Sequence, residues 1–84
     1  MSAPIEISLS EDQALVLFEF LARFQETNVL RLQNNAEFLA LSAISAQLDK
    51  SLAQPLSPNY ALLLTEARQR LAGGFEGLAP GVQP

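Results

Sequence analysis

The side chains able to move protons in this chain are nine carboxylates, Glu6, Glu11, Asp12, Glu19, Glu26, Glu37, Asp49, Glu66 and Glu76, joined by Tyr60 and Lys50. No histidine or cysteine accompanies them. An imidazole base, a thiolate nucleophile, a thiolate zinc site and a disulfide framework are therefore excluded. Carboxylates alone can hydrolyse glycosides, but only as a pair roughly 5 to 9 Å apart across a cleft, one of them raised in pKa by burial. The spacing points elsewhere: most of these acids fall in first turns of helices or on solvated helix faces. Carboxylate metal sites in helical bundles use inward Glu with Glu-x-x-His, and hard-cation loops place acids at alternate positions. Neither pattern occurs.

The remaining chemistry is equally sparse. Ser42, Ser45, Ser51 and Ser57 have no neighbouring base and no Gly-x-Ser-x-Gly elbow. All four glycines, Gly73, Gly74, Gly77 and Gly81, lie near the C-terminus, so residues 1–72 can hold no phosphate-cradling loop or dinucleotide fingerprint. The six aromatic residues sit on apolar stripes without interleaved Arg or Lys, as core residues do and a base-stacking platform does not. The five basic residues, Arg23, Arg31, Lys50, Arg68 and Arg70, are scattered under a net charge of -4, which argues against nucleic acid and anionic lipid as partners. The sequence thus offers no catalytic, cofactor-binding or metal-binding residues and is not expected to encode an enzyme.

The elements that would carry any surface follow from periodicity. Leu and Ala supply 16 and 12 of the 84 residues, against three Ile and three Val, which favours helix. Ile5-Glu6-Ile7-Ser8-Leu9 nevertheless alternates like a half-buried strand, and Val29-Leu30-Arg31-Leu32-Gln33 does so more weakly. Between them Ser10-Glu11-Asp12-Gln13 forms a capping box, with two acids where the helix dipole favours them. Ala14, Leu17, Phe18, Leu21 and Phe24 then form an apolar stripe that Val16 and Phe20 widen, and Glu19 and Arg23 are spaced as a surface pair. A second helix starts at Asn34, with Glu37 completing its capping box, and carries Phe38, Leu41, Ile44, Leu48 and Leu52 beside a small-residue side of Ala36, Ala40, Ala43 and Ala46. Pro55 ends it. In the third, Ser57 is a suitable cap and Pro58 a suitable first residue. Tyr60, Leu63, Leu64, Ala67 and Leu71 form its stripe, Glu66 and Arg70 pair outside, and Gly73 stops it.

The expected fold is mostly α (α+β): three helices with a small two-stranded sheet, in the order strand-helix-strand-helix-helix. The short links make those strands parallel with a right-handed crossover; a three-helix bundle with merely extended segments is the weaker reading. Residues 1–72 make one compact domain and residues 73–84 a flexible Gly/Pro-rich tail carrying Phe75 and Leu78. The N-terminus has no basic stretch and no apolar stretch of a secretory signal, and the longest apolar run, Ala14 to Phe18, is far too short to cross a bilayer. A cytoplasmic location is the expectation.

The segments Ala14-Leu15-Val16-Leu17-Phe18-Glu19-Phe20-Leu21-Ala22-Arg23-Phe24 and Pro55-Leu56-Ser57-Pro58-Asn59-Tyr60, with Leu63-Leu64, Glu66-Ala67-Arg68 and Arg70-Leu71, resemble a group of short, uncharacterised single-domain bacterial proteins. The resemblance spans roughly residues 5–71. It implies a bacterial, cytoplasmic setting and carries no activity.

Apolar excess is the informative feature. A domain this small buries only about 60 to 65% of its unfolded surface, so with 49% hydrophobic and 17% charged residues some apolar area must stay outside. The expected role is a non-enzymatic protein-protein interaction module, best fitted by a small acidic inhibitor of antitoxin or immunity type that binds a basic effector protein stoichiometrically. The candidate partner-binding residues are Glu11, Asp12, Val16, Glu19, Phe20, Glu26, Leu39, Ala43 and Leu62, with Ala46 beside them. The alternative is a self-assembling structural or scaffold domain, a homodimer or larger homo-oligomer that closes its strand edges on another copy.

Overall fold

Ser10 opens the first helix in the way its spacing requires. Its hydroxyl accepts from the Gln13 amide at 3.1 Å, and the Gln13 side chain accepts from the Ser10 amide at 2.9 Å. In the computed structural model, which describes residues 3–83, this helix is α1 (Glu11–Thr27), followed by α2 (Asn35–Ser51) and α3 (Tyr60–Ala72). A 3-10 turn at Gln54–Leu56 lies between the last two. The cap of α2 is also as expected: the Asn34 side chain accepts from the Ala36 amide at 2.8 Å, and Glu37 accepts from the Asn34 amide at 3.2 Å and the Gln33 amide at 2.6 Å.

The expected two-stranded sheet is not formed: among the described residues there is no strand, and the fold is three helices rather than α+β. The first candidate, Ile5 to Leu9, is an exposed arm with no regular secondary structure and no ladder partner. The second fails because the chain needs those residues to reverse. The α1 helix ends at Asn28 in the left-handed conformation (φ 56°), its amide bonded to the Phe24 carbonyl at 2.7 Å. Asn tolerates this geometry because its short polar side chain can bond locally. Only residues 29–33 remain before the Asn34 cap, so the turn consumes the stretch that alternation alone assigned to a strand. The parallel crossover falls with it.

Smaller boundaries shift as well. The α2 helix ends at Ser51, with Leu52 extended and Pro55 falling inside the 3-10 turn beyond it, and α3 begins at Tyr60 rather than at Pro58, because Ser57 is spent on a turn in which its hydroxyl accepts from the Asn59 amide at 3.1 Å. The chain leaves α3 at Gly73, as expected.

The centre of the molecule is α1, which packs against both α2 and α3. Phe24 near its C-terminus meets Phe38 near the start of α2 edge to face, with centroids 6.3 Å apart, so these two helices run antiparallel. Asp12 near its N-terminus meets Arg70 near the end of α3, and Glu19 meets Tyr60 at the start of α3, so this pair is antiparallel too. The α1 positions facing α3 are 12, 15, 16 and 19, and those facing α2 are 14, 17, 21 and 24. At about 100° per residue these stripes lie on roughly opposite faces of the helix. The helices therefore form an open layer with α1 in the middle. Leu15, Leu64 and Ala67 make the α1–α3 core, with Val16, Leu52, Tyr60 and Leu63 against it. Leu21, at 1% exposure, Phe24 and Leu48 are buried on the side of α2.

Candidate functional site

An open layer leaves apolar side chains outside, since α2 and α3 each bury one face on α1 and expose the other. On α2, Leu39 (65% exposed), Ala43 and Lys50 follow one another at helical spacing on the side turned from α1, while Ala46 lines a recess shared with Phe18 and Ala22 of α1. Leu62 on α3 is 59% exposed. Phe20 lies on the edge of α1 between its two packed faces. It is just over a third exposed, with the Arg23 guanidinium 5.7 Å from its ring centre. These are the expected apolar contacts, and the structure places Leu39, Ala43 and Leu62 on outer surfaces of two different helices.

The expected acidic contacts divide. Glu11 and Glu26 are exposed. Asp12 is held by Arg70 in a two-bond fork, Nε to Oδ2 at 2.8 Å and Nη2 to Oδ1 at 2.9 Å. The guanidinium hydrogen bond keeps the Asp12 carboxyl below the usual carboxylate range, with slight desolvation opposing and the Arg70 charge assisting. Glu19 accepts a 2.6 Å hydrogen bond from the Tyr60 hydroxyl. Partial burial, then that bond, then the Glu19 charge push the Tyr60 phenol up to about 12, against a small lowering by Arg68. Two of the four expected acidic contacts thus fasten α1 to α3, and Val16 packs on the Leu15, Leu64 and Ala67 cluster instead of widening an outer patch. Neither surface pair read from helical spacing is an ion pair: Arg70 reaches Asp12 across the layer rather than Glu66, and Arg23 stacks on Phe20.

The surface missed by spacing is the groove under the N-terminal arm. Ile5, Ile7 and Leu9 form one wall and Ala14, Leu17, Ile44 and Leu48 the other, around a space of about 430 Å³. Its signal was present in the Ile5 to Leu9 alternation, which marks an apolar side without saying what it rests on. A second recess of about 490 Å³ at the start of α2 holds Arg31 and Glu37 among Leu30, Leu32 and Leu41. The Glu37 carboxylate there is already engaged by the Gln33 and Asn34 amides. Among the described residues no cluster of three or more acidic groups has the geometry of a metal site. No helix among them is long and apolar enough to cross a membrane. Comparison with known protein families, curated proteins and solved structures finds no match to this chain.

Proposed function

We propose that this chain is a non-enzymatic protein-protein interaction module, of the small acidic inhibitor type, acting in the cytoplasm by stoichiometric binding. The observation that carries this reading is the open helical layer, which leaves Leu39 and Leu62 more than half exposed on the outer faces of α2 and α3. Exposed apolar patches of small domains are commonly contact surfaces. The contact residues that remain free for a partner are Glu11, Phe20, Glu26, Leu39, Ala43 and Leu62. The net charge of -4 would steer a basic effector, while the apolar residues supply contact energy. Asp12 and Glu19 are removed from that contact set because they already bind Arg70 and Tyr60.

Leu39→Asp is the test, compared with wild type for stoichiometric complex formation with a basic protein and for helicity by circular dichroism. Loss of the complex with helicity unchanged supports the reading. A complex that survives Leu39→Asp, Leu62→Asp and their combination overturns this choice of surface. A second reading, self-assembly, is favoured by the exposed N-terminal arm.

A further inference from the structure

A recess of about 320 Å³ runs along the α1–α2 contact, on the edge away from the N-terminal arm. Phe18 and Ala22 of α1 and Ala46 of α2 line it with carbon, and Gln25, Ser42, Ser45 and Asp49 bring oxygens to it. Helical spacing gathers them, since 18, 22 and 25 share one side of α1 as 42, 45, 46 and 49 share one side of α2. No Arg or Lys is in the lining. The polar groups are also uncommitted. Thr27, Ser51 and Thr65 return their hydroxyls to the carbonyl four residues earlier. Among the described residues the half-buried Ser42 and Ser45 hydroxyls make no hydrogen bond, and Asp49 makes no ion pair. Asp49 lies in the last turn of α2, where the carbonyl end of the helix dipole disfavours a carboxylate, so helix stability does not account for it.

We propose that this recess receives a lysine side chain of the basic partner, a site that rests on the inhibitor reading and names where its charge contact is made. Asp49 and Ser45, one turn apart, accept from the ammonium, a compact charge with three donors and no acceptor. The lysine's alkyl stem lies on Phe18, Ala22 and Ala46, as such stems do on apolar surface. Ser42 stands seven residues from Asp49, about 10 Å along the helix axis. It and Gln25 are placed to bond the peptide unit from which that side chain springs. An arginine suits the recess less, because a guanidinium favours coplanar paired acceptors of the kind Asp12 gives Arg70, not a carboxylate and a hydroxyl on successive turns. The recess is continuous with the outer α2 surface, since Ala46 lies two turns from Leu39 on one side of the helix. With Asp12 and Glu19 spent on Arg70 and Tyr60, Asp49 takes the place of the acidic contact that they do not make.

The experiment uses n-butylammonium chloride, which has the length and charge of a lysine side chain. It is titrated into the isotope-labelled full chain at constant ionic strength, and amide shifts are followed by nuclear magnetic resonance. Saturating shifts are expected at Phe18, Ser42, Ser45 and Asp49, and none with n-butanol. Asp49→Asn is expected to weaken binding about tenfold or more, the scale of a charged hydrogen bond, with helicity and melting temperature kept because the last turn does not need a carboxylate. Ser45→Ala is expected to lose part of the affinity, and Glu26→Gln, on the exposed end of α1, none. Shifts spread evenly over Glu6, Glu11 and Glu26, equal binding by n-butanol, or equal affinity in Asp49→Asn overturns the proposal. A protein complex that is lost on Leu39→Asp but unchanged in Asp49→Asn leaves the inhibitor reading standing and overturns this site alone.

Discussion

The Tyr60 hydroxyl donates to the Glu19 carboxylate at 2.6 Å across the contact of α3 with α1, joining positions 41 residues apart. The bond therefore fixes tertiary rather than local structure. It sits at one end of the contact, with the Asp12–Arg70 fork at the other and Leu15, Leu64 and Ala67 between. Two polar links flanking one apolar strip set the register of two short helices that bury few large side chains on each other.

Alkaline stability follows from the first link. The Tyr60 phenol ionises at about 12 in the fold against an ordinary value of 10.0. Its contribution is therefore complete below the ordinary value and is lost as pH rises through about 12. Tyr60→Phe should flatten that alkaline loss. At neutral pH it should cost about 1 kcal/mol, the scale of a partly exposed hydrogen bond to a charged group. Urea melts of both proteins between pH 7 and 12 check both effects; parallel curves would disprove the linkage.

Acid behaves oppositely through the second link. Asp12 is held below its ordinary carboxylate value, so its contribution is present above that value and disappears as pH falls through the lowered one. Arg70→Gln should lower the melting temperature near neutrality and converge with wild type in strong acid. Because both side chains reach solvent, the difference should shrink in high salt.

Packing predictions concern α1 and its two contacts. Leu21→Ala removes the most deeply buried large side chain and should cost about 3 kcal/mol. Ala67→Leu overfills a fully buried position of α3 in the cluster with Leu15 and Leu64, and should cost about 1 to 3 kcal/mol. Thermal melts followed by circular dichroism measure both, and a neutral Ala67→Leu would show that α3 is not held against α1 as described.

What could be read from the sequence was what local chemistry decides. Ser10 with Gln13 and Asn34 with Glu37 announce helix starts because both members of each cap lie within one turn. Long-range partners leave no such mark. Asp12 and Glu19 read as solvated acids because Arg70 and Tyr60 lie far along the chain, and one apolar stripe does not account for Leu15 because α1 buries two opposite faces. The alternation at 5–9 forms no strand and leaves Ile5 and Ile7 exposed, since alternation carries no information on pairing, and at 29–33 the αL ending at Asn28 overrode it.

The outer face of α2 gives a prediction separate from stability. Leu39 is mostly exposed, so Leu39→Asp should leave the stability within about 0.5 kcal/mol of wild type while abolishing partner binding. A melt matched with a binding titration separates the two; a destabilised variant would mean that Leu39 serves the fold.

The most direct test of a protein-binding surface on this open layer is the native mass of the tagged chain purified gently from its host. The predicted result is a foreign protein in stoichiometric ratio with the chain, lost on Leu39→Asp. Monomer alone at every concentration, with no protein attached, would contradict it.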